Sequence, residues 1–349
     1  MADLALDILA RECPNLLQLS LFISKYLKHN HQTFQDLLGP IPDTPYIQSL
    51  SKLTHLVEIT CAIGFLRDNI PVIGTLPELE HITLFSEDRS TVIRPDAIPS
   101  RSFSALRSLE LLKLAHWQVI SLLNVPRLVK QITRLKINHE IHSRVDLDDF
   151  SDEPEQIADQ GEYLASEILP WLKNVPRLSY LELKLIFTSK VESETDIGRQ
   201  CLVDTFSVLP LETFILSGGH ISNWTRSMDT LPTIWPHLTR LELWEQIVRL
   251  NDLPCFARLP NLEYLLLGVV FEKVEKTTNE LSLSPLRKLK CVNRISDEQL
   301  DYITHSGGFL LALFPRLRGV EWTYEEPRVK YGFQVLNRHI MLHLASEGK

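Results

Sequence analysis

Apolar and polar positions along this chain fall into one short pattern that returns from end to end. Its clearest copy is Trp235-Pro236-His237-Leu238-Thr239-Arg240-Leu241-Glu242-Leu243-Trp244, which reads Φ-P-x-L-x-x-L-x-L with Φ apolar. Val175-Pro176-Arg177-Leu178-Ser179-Tyr180-Leu181-Glu182-Leu183 and Leu259-Pro260-Asn261-Leu262-Glu263-Tyr264-Leu265-Leu266-Leu267 repeat it. With the first Leu as marker, eleven copies stand at Leu16, Leu56, Leu79, Leu106, Ile132, Leu178, Leu211, Leu238, Leu262, Leu286 and Leu317. Alternation with period two predicts a strand in each copy. Its second and third apolar residues, such as Leu241 and Leu243, point inward, and the residues between them point out. Ile59, Ile82, Phe214 and Val320 fill the second place in their copies, and Cys61 and Cys291 the third. The Pro two residues before the marker suits a turn, where no ladder N–H is needed.

A strand and one return cannot cover their own apolar side, but stacked neighbours can. Several spacings match the ~20–29 residue leucine-rich repeat, and the others carry insertions. The expected fold is therefore α/β, a right-handed leucine-rich-repeat solenoid with a parallel sheet on the concave face and irregular helices and loops on the convex face. A single domain over 1–349 is expected, with a helix or cap at 1–12, irregular repeats over 13–322 and a C-terminal cap over 323–349. Leu4, Ile8 and Leu9 are read as the packed side of the first helix. The returns after Leu56, Leu79 and Leu106 read as loops, with Asp68-Asn69 as turn material. In the irregular fifth copy the strand is placed at Leu135 to Ile137. Helices are predicted from Glu155 through Leu172, around Asp196 to Val208, from Ser296 to a stop near Gly307-Gly308, and from about Gln334 to Leu344.

Charge adds one feature. An acidic insertion over 139–163 contains Asp146, Asp148, Asp149, Asp152, Glu153, Glu155, Asp159 and Glu162 without an intervening Lys or Arg, and reads as a solvated loop or a docking segment for a basic partner. The formal net charge of −8 argues against a nucleic-acid partner, because duplex binding needs clustered Lys and Arg. Acids at Asp3 and Asp7 and the lack of a long apolar run predict a cytoplasmic or nuclear protein with no membrane partner. Asn223-Trp224-Thr225 then reads as a chance sequon. The five cysteines show no C-x-x-C and point to a reducing compartment.

Catalytic signatures are missing: there is no G-x-S-x-G, G-x-x-x-x-G-K-[ST] or G-x-G-x-x-G. His339 and His343 have helical metal-ligand spacing without the Glu of H-E-x-x-H, and His139 and His142 are similarly incomplete. Ser217-Gly218-Gly219-His220 reads as a tight turn rather than an anion site. No catalytic residue, metal or cofactor is expected, and an enzyme with an unrecognised site is the lesser alternative. The candidate site is instead the outward column set of the strands, with Tyr180, Glu182, Lys184, Arg240, Glu242, Trp244, Tyr264 and Lys288 as the partner-binding strip. Aromatic and Arg side chains dominate binding hot spots, which puts Arg240, Trp244 and Tyr264 at its centre. The competing reading of the alternating charges is cross-strand pairing that serves only the fold.

Repeats of the form C-P-N-L, V-P-R-L and L-P-N-L, from Cys13 to about Trp322, resemble the C-terminal repeats of fungal F-box-like proteins, particularly those of basidiomycetes. That resemblance implies a protein-interaction scaffold, the substrate-recognition region of a ubiquitin-ligase receptor that takes a protein on its concave face. Family members open on an F-box with an L-P-x-E-like start, and no such start precedes Cys13. A ligase adaptor is thus an expected partner only where an F-box lies upstream. The alternative is an adaptor-independent binding protein or a shortened paralogue.

Overall fold

The computed structural model describes residues 2–21, 47–86, 91–95, 98–99, 101–141, 168–187, 195–197, 199–221, 230–274, 284–293, 295–323 and 327–346. The chain forms two compact units, one of Met1–Glu140 with Asn174–Leu178 and one of Ile141–Lys173 with Ser179–Lys349. Both are α/β with parallel strands. The acidic run, His142 and the sequon at Asn223 lie outside the described residues.

In the first unit β1 (Gln18–Ser20), β2 (Glu58–Ala62), β3 (His81–Phe85), β4 (Ser108–Leu112) and β5 (Arg134–Ile141) pair in chain order, each parallel to the next. Leu19, Ile59, Ile82, Leu109 and Leu135 share one row, and Cys61, Leu84, Leu111 and Ile137 share another. All nine are buried, which is the burial that period-two alternation requires. Neighbours in the rows are parallel because each return carries the chain back over the core before the next strand begins.

The returns are more helical than the sequence pattern suggests. Asp68-Asn69 lies inside the helix Ile63–Ile73 rather than in a turn, because Ile63, Leu66, Ile70 and Ile73 form one buried stripe. Asn69 is buried there and donates through Nδ2 to Phe65 O at 2.9 Å. After β4 comes another helix, His116–Leu123, which buries Val119, Leu122 and Leu123. The first helix runs Ala2–Glu12, but it packs through Leu6 and Ala10, while Ile8 is 42% exposed. The i, i+4 pair of Leu6 and Ala10 sets the buried face, which corrects the expected stripe through Ile8.

The second unit contains β6 (Tyr180–Phe187), β7 (Thr195–Ile197), β8 (Thr213–Ser217), β9 (Gly219–Ile221), β10 (Arg240–Arg249), β11 (Tyr264–Val270), β12 (Lys288–Cys291) and β13 (Gly319–Trp322). β6, β8, β10, β11, β12 and β13 pair in that order and are parallel; β7 and β9 pair separately. Phe206, Phe214 and Trp235 fill its core, with Phe214 centroid 5.0 Å from Phe206 and 5.7 Å from Trp235.

Returns here are short. Leu169–Asn174 is a 3-10 turn carrying Pro170, and the rest of the expected Glu155–Leu172 helix lies outside the described residues. Ile197 is in β7, so the next helix is confined to Arg199–Phe206, where Leu202 and Phe206 are buried. Asp297–His305 ends before Gly307, and Gly307–Leu313 is a new helix, so the paired glycines open an element as well as follow one. The last helix, Pro327–Ser346, is longer than expected and packs through Val329, Phe333, Leu336 and Ile340.

Each of the eleven in-order strands begins two residues after its marker. A backbone lock recurs at that junction. In the first unit the Leu17 carbonyl accepts from Val57 and Glu58 N–H at 2.8 and 3.0 Å, and the Val57 carbonyl from Glu80 and His81 N–H at 2.9 and 3.0 Å. In the second, Ser179 O accepts from Glu212 and Thr213, and Thr239 O from Glu263 and Tyr264. One carbonyl with two lone pairs thus satisfies two successive donors and fixes the register of the following strand. No helix among the described residues is long and apolar enough to cross a membrane.

Candidate functional site

The eight residues expected to form the strip all fall in the second unit, on the side of the strands turned away from the core. Tyr180, Thr213, Arg240, Tyr264 and Lys288 lie in one row by strand pairing. Glu182, Ile215, Glu242, Leu266, Lys290 and Glu321 form the next. In the third row Lys184 pairs with Ser217, and Trp244 follows Leu243 as Ser217 follows Leu216.

Glu242 organises the centre. It is 5% exposed although it faces outward. Arg240 donates from Nε to Glu242 Oε1 at 2.7 Å, its Nη2 is paired with the same oxygen, and Trp244 Nε1 donates to Oε2 at 3.2 Å. The i, i+2 spacing explains this, since residues two apart in a strand project to the same face. A carboxylate held from both sides satisfies its own burial and orients two larger side chains.

Arg240 also lies over the Tyr264 ring, with Cζ 4.5 Å from the centroid. Lys288 Nζ stands 5.7 Å from that centroid and pairs with Glu321 at 2.7 Å. Tyr264 is therefore flanked by two cations. Burial, then the nearby Glu242 carboxylate, pushes its phenol pKa above the usual value, while Arg240 opposes the rise. Further along, Lys290 Nζ sits 5.9 Å from the Trp244 ring centroid. On β6 the Tyr180 hydroxyl donates to Glu182 Oε2 at 2.7 Å.

Several features of this face were not visible as such in the sequence. Leu266 faces outward yet is 1% exposed, so with Ile215 it forms an apolar floor between the charged side chains. The unbroken run Leu265-Leu266-Leu267 is the available signal, because a strand covered on both faces loses its alternation. Ile247 is 57% exposed and Trp244, on the same strand, 39%. Between Glu242 and Ile247 the β10 strand bulges: five steps on β10 span two steps on β11, from Leu266 to Gly268. Such a bulge re-aims side chains, and here it turns Ile247 to the surface and Gln246 inward, where Gln246 Oε1 accepts the Ile221 N–H at 2.8 Å.

The glycine pair at the entry to β9 serves that same bulge. Gly218 has φ of 77°, and a Cβ there would come within 1.9 Å of Leu185 O, so only Gly fits. The N–H groups of Gly218 and Gly219 bond to the Glu245 carboxylate, whose pKa burial nevertheless raises. Elsewhere His139 Nδ1 donates to Leu114 O at 3.0 Å. His339 and His343 are exposed on the last helix, and among the described residues no cluster of three metal-ligating side chains occurs. A cleft beside the helix Asp297–His305 is lined by Glu272, Lys273, Glu298, Asp301, Tyr302 and His305, and His305 Nδ1 donates to Asp301 O.

No family model matches this chain, and no curated protein does. The chemistry of the site therefore stands on its own geometry: an orienting buried carboxylate, a cation–aromatic stack and two exposed apolar side chains.

Proposed function

We propose that this chain is a leucine-rich-repeat recognition protein. Its partner is another protein, docked on the outward rows of β6 to β12 in the second unit. The repeat reading is supported by the constant two-residue step from marker to strand and by the recurring carbonyl lock.

One observation carries the binding reading. Trp244 is 39% exposed, yet its indole N–H is held by a buried carboxylate that also fixes Arg240. Large side chains held in place before contact lose little freedom on binding, and Trp, Tyr and Arg are the types that anchor interfaces. Lys136–Glu110 and Lys288–Glu321 pairs show that part of the charge pattern serves the sheet itself; Trp244 and Ile247 nevertheless leave 39% and 57% of their surface to solvent.

The test is capture of partners by the immobilised full chain, wild type against the double change Arg240→Ala plus Trp244→Ala. Bound protein should fall severalfold while circular dichroism and melting stay near wild type. Undiminished capture by a folded double variant would move the site off this strip. By the resemblance of its repeats, the chain serves as the substrate-recognition region of an F-box-like ubiquitin-ligase receptor. Co-purification of a cullin-type adaptor with the native protein separates that role from adaptor-independent binding.

A further inference from the structure

In the first unit each copy of the repeat is locked to the one before it. Val57 and Glu58 N–H donate to Leu17 O, Glu80 and His81 N–H to Val57 O, and Arg107 and Ser108 N–H to Glu80 O. Leu17 and Gln18 hold the same place in the copy of β1, and no strand among the described residues lies before them to accept. Leu17 O and Leu21 N–H bond across to β2, so by strand alternation Gln18 and Ser20 aim their N–H and C=O groups at the open side. The side chains at this edge are equally incomplete. Leu16 is half-buried, whereas every later marker is at most 1% exposed. Leu17 is 55% exposed, at a position that is polar in every copy from the third onward. The first helix packs on Ile47–Leu50 and buries Leu6 and Ala10, while Ile8 lies on its opposite side. β1 also has none of the devices that protect an edge: Gln18-Leu19-Ser20 contains no charge and no Pro, and its pairing with β2 has no bulge.

We infer that a second copy of this chain docks on that edge, with the two β1 strands antiparallel about a two-fold axis at Leu19. The stretch Leu17-Gln18-Leu19-Ser20-Leu21 is symmetric in character about its centre. Antiparallel pairing sets Leu17 opposite Leu21 of the second copy, Leu19 opposite its twin and Gln18 opposite Ser20. Apolar residues then meet on the core side and polar residues on the other. Gln18 and Ser20 are also the residues whose backbone groups face out, so each Gln18–Ser20 pair exchanges both of its N–H···O bonds, and the axis doubles them. The Gln18 side chain leaves the edge clear, because its Nε2 donates back to Glu58 Oε2 at 2.9 Å. An unrelated strand would satisfy the same backbone groups; the self-match of the side chains is what favours a second copy. This surface lies wholly in the first unit and is independent of the strip around Trp244.

The experiment is sedimentation velocity of the full chain from about 1 to about 300 µM. Mass should rise from the 40.1 kDa of one chain toward twice that value. The rise should come at lower concentration in ~0.5 M salt, which screens the repulsion between copies that each carry −8. Leu17→Glu should weaken the pair by roughly tenfold or more and leave melting near wild type, since the later copies carry charge at that position. Ser20→Pro removes an N–H that β2 does not use and should abolish pairing while the chain stays folded. On a Cys13→Ser background, Leu19→Cys should give a covalent dimer on mild oxidation, because residues facing across such an axis have Cα atoms ~4.5 Å apart; the background alone should not. A constant monomer mass at every concentration overturns the inference. So does a dimer that survives both Leu17→Glu and Ser20→Pro, or one that fails to cross-link through Leu19→Cys, because either would place the interface elsewhere.

Discussion

At the scale of single residues, β10 separates stability from recognition within three positions. Leu241 is fully buried, and truncating it leaves a cavity under the sheet. Leu241→Ala should cost about 2–5 kcal/mol in denaturant unfolding, whereas Arg240→Ala plus Trp244→Ala should change the unfolding midpoint far less, because both side chains are substantially solvated. Equal losses from the two variants would mean that the hold of Arg240 and Trp244 on the buried Glu242 carboxylate is a structural element of the sheet, and would count against their role as anchors. The inward–outward assignment behind this contrast was legible in the sequence, since a strict period of two leaves no freedom about which face Leu241 and Leu243 take. The burial of Glu242 and Leu266 on the outward face was not. It depends on how Arg240 and Trp244 of the same strand close on Glu242 and on what the neighbouring strands lay over Leu266, neither of which a period of two dictates. Cysteines show the same division: Cys61 and Cys291 occupy strand positions and are buried as the register implies, while burial of Cys255 follows from the short helix Pro254–Ala257.

At the scale of elements, the last strand raises the question of what satisfies its outer edge. Val320 N–H donates to Asn337 Oδ1 at 2.7 Å, and Asn337 Nδ2 donates to Val320 O at 2.9 Å, so a side-chain amide on the final helix stands in for a strand. Asn293 does the same for Val269, with distances of 2.7 and 2.9 Å, where β12 has ended but β11 continues. An unpaired edge costs hydrogen-bond energy and invites strand addition from other molecules. Asn337→Leu should therefore lower stability by about 1–3 kcal/mol and raise light scattering on warming; a variant that melts and scatters like wild type would show that the amide is dispensable. A closing helix was anticipated from the apolar spacing near the C-terminus, but its pairing through Asn337 could not be, because a lone Asn on a helix reads as a solvated residue. Returns were the least legible elements for a related reason. Ile63–Ile73 contains Asp68, Asn69 and Pro71, each unfavourable inside a helix, and its apolar stripe against the core outweighs them.

At the scale of the whole molecule, the repeat was legible because it is redundant: eleven weak matches with one internal spacing identify strand starts that no single match could. Charge is distributed in the opposite way. The eight acids between Asp146 and Glu162 leave 36 acids elsewhere, equal to the 36 Lys and Arg residues, so the entire formal excess of −8 belongs to one stretch of sequence. The remainder of the chain is balanced, and a balanced protein near neutral pH has little electrostatic repulsion between copies. That stretch therefore supplies the net repulsion that keeps copies apart, independently of any contact it makes. Replacing its eight acids by Asn and Gln should move the isoelectric point from about 5.9 to near neutrality and shift the solubility minimum with it. Solubility at pH 7 should then drop severalfold in precipitation assays, with recovery near pH 5.9, where the variant is cationic and the wild type, at its isoelectric point, is least soluble. If the variant stays as soluble as wild type at pH 7, dispersion must come from the balanced surface, and the acidic stretch would have to be explained by what it contacts rather than by its charge alone.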